Sequence, residues 1–196
     1  IGHKIIIIIG TYTAQIGDPS GKNKKRKTIK KTIVFYNCKN YKKQILYILK
    51  KKKNIKFLNN TSWLNKLISK TLLKLTSLYT VSQMLERRDF KKRLKKNDPL
   101  SIHELIYPIL QGYDSVIINA HIEIGGNDQK FNLSVARFLQ KKNNQLPQNI
   151  YTLPLLKGID GIKKMSKTAN NTINFTENPT NFFGKIMKIP DHLIPE

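Results

Sequence analysis

Apolar positions along this chain follow two rhythms, and their order sketches a fold. Lys4–Gly10 is a near-continuous isoleucine run closed by glycine, which predicts a strand buried on both faces. Ile55–Leu58 predicts another strand, and Thr32–Tyr36 reads either as a strand or as the start of the next helix. Ser115–Asn119 and His121–Ile124 are short β-branched runs that predict buried strands, and Asn149–Leu156 is a further candidate. The helical rhythm appears at Tyr41–Lys51, where Tyr41, Ile45, Ile48 and Leu49 oppose lysines. Asn60-Thr61-Ser62 offers an N-cap for a helix through Leu73, and Thr80 or Ser82 starts one holding Val81, Met84 and Leu85. Residues 102–113 are apolar at Ile102, Leu105, Ile106, Ile109, Leu110 and Tyr113, again with helical spacing. A helix near Asp128 carries Phe131, Val135, Phe138 and Leu139, and Thr180–Met187 predicts the last one. Gln140–Gln148 is a polar loop, and Gly158–Asn171 is rich in glycine and lysine. Strands alternating with helices, interrupted by a helical middle third, argue for an α/β fold around a parallel sheet.

Two polar clusters stand out against this pattern. Tyr107, Gln111 and Asp114 share one helix face, because side chains at i, i+4 and i+7 stack. A phenol, an amide and a carboxylate on one face suit a small polar ligand. The second cluster is Gly125, Gly126, Asp128, Gln129 and Asn132, at a strand end, a glycine turn and a helix start. That is where α/β proteins bind ligands. Either cluster alone reads as an ordinary capped helix; two joined by one short β segment read as a site.

Composition narrows the partners. Lys and Arg number 36 against 12 Asp and Glu, a formal net charge of +24. Such charge points to a polyanionic partner. Lysine, isoleucine and asparagine are also used heavily everywhere, as AT-rich coding would produce, and lysine on every solvated face gives the same total. The segment Glu86–Pro99, with Arg87, Arg88, Lys91, Lys92 and Arg93, is either solvated or RNA-facing. The single cysteine, Cys38, excludes an internal disulfide and fits a reducing compartment. The four histidines show no metal-ligand spacing, so no metal site is expected. No apolar run approaches the ~20 residues of a membrane helix, so no membrane association is expected.

The loop Lys163-Lys164-Met165-Ser166-Lys167-Thr168 changes the picture. Lys-Met-Ser-Lys closely resembles the second signature of class I aminoacyl-tRNA synthetases. With Gly126-Asn127-Asp128-Gln129 and Tyr107, Gln111 and Asp114 upstream, the chain resembles the tyrosyl-tRNA synthetase family along nearly its whole length. Further matching segments are Gly17–Lys22, Thr80–Arg87, Ser101–Glu104, Glu123–Asn132, Pro154–Gly158 and Phe183–Lys185. The resemblance implies a Rossmann-like parallel sheet with a helical insertion, truncated at both ends. Residues 1–69 would be part of the nucleotide-binding core and 70–106 the insertion, the expected homodimer interface. Residues 107–160 would be the second half of the core. Residues 161–196 would hold the lysine loop and the start of a linker to an anticodon-binding domain.

The implied activity is ATP-dependent formation of tyrosyl-adenylate and its transfer to tRNA(Tyr). Asp18, Tyr107 and Gln111 would hold the α-ammonium of tyrosine, and Asp114 would accept from its phenol. Gly126 would let the ribose approach, Asp128 would bond a ribose hydroxyl, and Gln129 would lie near the reacting carboxylate. Lys22, Arg26, Lys164 and Lys167 would surround the pyrophosphate, with Met165 and Ser166 completing the ATP loop. Mg²⁺ would accompany the nucleotide, and the enzyme would be cytoplasmic or in an organelle matrix. The chain starts with Ile1-Gly2-His3, which leads straight into a strand rather than opening a helix. The family's adenine-binding signature is therefore expected upstream, and the fragment alone is expected to be inactive. Gly17–Lys22 is not a phosphate loop: its glycines are too close and Asn23 takes the Ser/Thr position. Thr168 replaces the usual Ser and Asn170 the usual Gly. The competing readings are a non-catalytic RNA-binding derivative with a splicing or regulatory role, and a tryptophanyl enzyme.

Overall fold

The structure, a computed structural model, describes residues 2–17, 29–49, 54–166 and 169–191. Asp18, Lys22, Arg26 and Lys167 lie outside the described residues. The chain forms two compact units, Ile1–Thr152 and Leu153–Glu196.

The first unit begins with β1 (Ile5–Ile9), which pairs in parallel with β2 (Ile55–Asn59), Ile5 opposite Ile55 and Ile9 opposite Asn59. Between them run α1 (Thr13–Ile16) and α2 (Lys31–Ile48), giving a strand–helix–strand unit. Thr32–Tyr36 is thus the start of α2, not a strand. The covered residues Val34, Cys38, Ile45 and Leu49 follow a helical stripe, and no Gly or Pro interrupts the run. Tyr41 and Ile48, expected on that stripe, are more than half exposed. Ile5 and Ile6 are also exposed, so the expected double burial of β1 does not hold at its start: among the described residues β2 alone pairs with it.

The helical middle is more broken than its periodicity predicts. The helix expected through Leu73 splits into α3 (Thr61–Leu64) and α4 (Ser69–Ser77), with Ile68 extended between them. Asn60 does not cap α3, because its side chain is used in the interior. Thr80 does cap α5 (Val81–Leu85), exchanging hydrogen bonds with Gln83 in a capping box. Next comes α6 (Arg88–Lys95), whose Arg88, Lys91 and Lys92 are exposed while Arg93 is buried.

Ser101 and Glu104 form a second capping box that starts α7 (Ile102–Ile118). Ser115–Asn119, expected as a strand, is the last turn of α7 and its cap. Local β-preference at Val116, Ile117 and Ile118 yields to burial of Ser115 and Val116 on a helix face. Asn119 ends the helix in a left-handed conformation at φ 49°. The strand that follows is β3 (Ile122–Gly126), paired with β4 (Asn149–Leu153). The expectation of buried apolar residues in β3 is reversed: Ile122 and Ile124 are exposed while Glu123 is partly covered. Glu123 accepts from Ser115 Oγ at 2.6 Å and from Gln148, so a polar network sits beneath this strand. A 3₁₀ turn, Asn127–Gln129, then leads into α8 (Lys130–Lys142).

Helices α7 and α8 form the centre of the unit. A Cβ added to Gly112 would lie 3.2 Å from the Ala136 backbone and 3.0 Å from Leu139 Cδ1, so the helix backbones approach closely there. Leu75, Met84, Ile109, Val116, Val135 and Leu139 build the core around this crossing. Of the apolar insertion residues, Met84 is buried whereas Leu73 and Val81 are exposed. In the second unit a loop precedes α9 (Pro179–Ile186), capped by Asn178, which accepts from the Asn181 N–H. No helix among the described residues is long and apolar enough to cross a membrane.

Candidate active site

The face of α7 predicted from spacing is present, and Asp114 and Gln111 are supported from different sides. Asp114 is 5 % exposed. Its Oδ1 accepts from Trp63 Nε1 at 2.7 Å and its Oδ2 from Asn60 Nδ2 at 3.0 Å. Asn60, itself fully buried, also donates to Thr13 Oγ1 at 3.1 Å and accepts from the Tyr12 N–H at 2.8 Å. One amide thus ties α1, the end of β2 and α7 together. Burial pushes the Asp114 carboxyl up to about 6, against the two hydrogen bonds that lower it, with the charge of Glu123 adding to the rise. A carboxylate has about four acceptor positions, so two donors leave capacity for a third.

One turn earlier on the same helix, Gln111 joins an amide cluster with α8. Asn132 Nδ2 donates to Gln111 Oε1 at 2.8 Å and to Gln129 Oε1 at 3.0 Å, while Gln111 Nε2 donates to Gln129 Oε1 at 3.3 Å. Behind them lies Arg87, 6 % exposed, with Nη1 at 3.5 Å from Asn132 Oδ1. Its Nε and Nη2 both donate to Asp89 at 2.7 Å, and its guanidinium stands 4.3 Å from the Phe90 ring centroid. Arg87 therefore belongs to the interior and not to a solvated or RNA-facing strip. Tyr107, a further turn back, is also buried. Gly126 is extended and Asp128 sits half-buried in the 3₁₀ turn, on the same β3–α8 junction as Gln129. Packing is tight at Gly125, where a Cβ would come within 3.1 Å of Leu133 Cδ1, so a side chain there would require Leu133 to shift.

In the first unit the structure thus joins Gln111 and Gln129 through direct hydrogen bonds, places Tyr107 and Asp114 on the same helix as Gln111, and sets Gly126 and Asp128 at the junction that carries Gln129. Sequence reasoning missed Asn60 and Trp63. The available signal was position: both follow the carboxyl end of a strand, where open α/β sheets place ligands.

Lys164, Met165 and Ser166 belong to the second unit. Lys157 and Lys164 face each other in an isolated antiparallel bridge, Gly158 N donates to Lys163 O at 2.8 Å, and Met165 N donates to Leu156 O at 2.8 Å. The described part of the lysine loop, Lys163 to Ser166, therefore belongs to a short hairpin. Asn170 takes the left-handed conformation at φ 51°, which glycine adopts freely and asparagine tolerates. Ammonium groups on such a hairpin suit phosphate oxygens. Among the described residues, no group of three or more His, Cys, Asp or Glu is arranged to hold a metal ion.

The family model described as tRNA synthetases class I (W and Y) matches residues 1–195. A tyrosine–tRNA ligase from Carboxydothermus hydrogenoformans is 53 % identical over 194 residues, covering 99 % of this chain and 47 % of the relative. One from Coxiella burnetii is 50 % identical over 194 residues, covering 99 % and 48 %. The chain spans about half the length of the curated relatives it matches. Among solved structures, the tyrosyl-tRNA synthetase of Archaeoglobus fulgidus complexed with L-tyrosine superposes with a TM-score of 0.76 at 22 % identity, covering 96 % of this chain and 56 % of that one. A tryptophanyl-tRNA synthetase from Campylobacter jejuni gives 0.64 at 19 % identity, covering 93 % and 56 %. At such identities these structures speak for the fold alone.

Proposed function

We infer the function from one premise: the chain belongs to the class I tRNA synthetases of the tryptophan and tyrosine family. We propose that the protein carrying it activates tyrosine with ATP and transfers the product to tRNA(Tyr). The observation that carries this reading is the α7 face, where buried Asp114 is held by Asn60 and Trp63 and partly covered Gln111 by Asn132 and Gln129. Asp114 accepts from the substrate phenol. Tyr107, Gln111 and Asp18 take the α-ammonium, whose donor-only chemistry needs neutral acceptors and a carboxylate. Gln129 stands at the reacting carboxylate, and Gly126 and Asp128 receive the ribose. The named activity of the relatives, tyrosine–tRNA ligase, favours tyrosine over tryptophan as substrate.

The reaction needs no protein nucleophile. The tyrosine carboxylate attacks the α-phosphorus of ATP, the bond to the β-phosphate oxygen breaks, and pyrophosphate leaves. The chain's contribution is positioning and stabilisation of charge on the leaving group, by Lys22, Arg26, Lys164 and Lys167 with Met165 and Ser166 shaping the loop. Mg²⁺ would come bound to the nucleotide phosphates, where it neutralises their charge. Residues 70–106 would form a homodimer interface, supported by exposed Leu73, Val81 and Ile102. Residues 1–69 and 107–160 would form the two parts of the core and 161–196 the loop and linker. The setting would be a reducing compartment, the cytoplasm or an organelle matrix, consistent with a lone cysteine. In the complete protein, tyrosine-dependent exchange of labelled pyrophosphate into ATP is the expected activity. A folded protein that shows no exchange with tyrosine would sink the proposal.

A further inference from the structure

The lysine hairpin of the second unit is organised around a residue that its signature does not include. Asn171 is 3 % exposed, although Ala169 and Asn170 before it lie on the surface. Its Nδ2 donates to Asp160 Oδ2 at 3.0 Å and lies 3.3 Å from the carbonyl oxygens of both Lys163 and Lys164. Its Oδ1 accepts from the Ser166 N–H at 2.8 Å, and its own carbonyl accepts from the Ile159 N–H at 3.1 Å. One side-chain amide therefore spans the hairpin from Asp160 to Ser166. The facing position is Gly158, where an added Cβ would fall 2.0 Å from Asn171 Nδ2. The amide occupies the space a side chain at residue 158 would need.

We propose that Asn171 is a positioning residue that fixes the hairpin in advance, so that Lys164 reaches the phosphates of ATP from an already ordered backbone. This rests on the function proposed above. A loop lysine meets a phosphate only after its backbone is ordered, and ordering a free loop costs conformational entropy residue by residue. Asn171 removes part of that cost by holding Lys164 O and Ser166 N, one on each side of Met165. The position demands both halves of an amide, a donor for two carbonyls and an acceptor for one N–H. Aspartate keeps the acceptor but turns the donor into an oxygen facing carbonyl oxygens.

The test is steady-state pyrophosphate exchange by the complete protein carrying Asn171→Ala, Asn171→Asp, Gly158→Ala or the Gly158→Ala/Asn171→Ala pair. Expected are a fall of about tenfold or more in kcat/KM for ATP in each single variant, with Asn171→Asp the most affected, and a KM for tyrosine within about twofold of wild type. The tyrosine KM reports folding of the first unit, so loss of overall structure shows separately. Because Gly158→Ala acts by displacing the same amide, the pair should be no worse than its poorer single member. An unchanged kcat/KM for ATP in Asn171→Ala, a parallel rise in the tyrosine KM, or a multiplicative loss in the pair each overturns the assignment. An inactive wild type overturns the proposed function and this assignment with it; an active wild type with an indifferent Asn171 overturns this assignment alone.

Discussion

Asp114 is the residue at which stability and the proposed recognition of the tyrosine phenol pull in opposite directions. Burial raises its proton affinity to about 6, while the two donors from Asn60 and Trp63 are arranged for the ionised form. Between the ordinary carboxylate range and about 6, the folded chain holds a proton that the unfolded chain has released. This group's contribution to stability is therefore present at lower pH and falls as pH rises through that window, by up to roughly 3 kcal/mol. Recognition runs the other way, since a proton on Asp114 competes with the donors already pointing at it. Preference for tyrosine over phenylalanine, measured as the ratio of kcat/KM from pH 5 to 8, should decline below about pH 6. Asp114→Ala should cut that preference by roughly 10- to 100-fold at neutral pH, the worth of a hydrogen bond to a charged group. It should also flatten the pH dependence of unfolding between about 4 and 6, as urea titrations would show.

At the scale of elements, the junction between α6 and α7 depends on a buried ion pair. Arg93 and Glu104 are bonded at 2.8 Å and 3.1 Å with side chains 3 % and 4 % exposed, and Arg93 also donates to the Pro99 carbonyl. Burial alone would raise the Glu104 carboxyl, yet hydrogen bonds from Arg93 and the Ser101 N–H hold it below its usual range. Its contribution is therefore present at neutral pH and lost as pH falls through the acid range, opposite in sign to that of Asp114. Glu104→Ala strands the guanidinium and should lower the unfolding free energy by about 3–5 kcal/mol, whereas altering both partners together to apolar residues should cost much less. Chemical denaturation of the two variants checks this. The same junction shows what the chain's pattern made legible. The helix start at Thr80 and the α7 face follow from short-range spacing, as does the glycine turn before Asp128. The last turn of α7 did not, because its β-branched run matches a strand locally and only packing against α8 decides. Nor did Asn60 and Trp63, whose role arises from partners more than 50 positions away.

For the molecule as a whole, the +24 charge is a net figure that already subtracts the carboxylates paired with cations inside the fold. Arg87 and Arg93 are consumed inside, and Lys185 is paired with Glu177 at 2.7 Å. The remaining described lysines lie on several elements, α2, α6 and the hairpin among them. A filter-binding salt series on an unrelated structured RNA should therefore give a shallow slope, below roughly four phosphate contacts. A slope of about 6–10 contacts, with no exchange activity, would replace the synthetase reading by an RNA-binding one. A last consequence follows from how α7 is anchored. Asp114 is held by Asn60 and Trp63 on the β2 side, and Gln111 by Asn132 on the α8 side, so the residues proposed to meet the substrate phenol and its ammonium rest on separate supports. Every amino acid carries the ammonium group, and only the side chain tells one from another. With this division, changes near β2 can retune which side chain is accepted while the grip on the shared group is inherited intact, giving substrate choice a route to diverge without first losing capture.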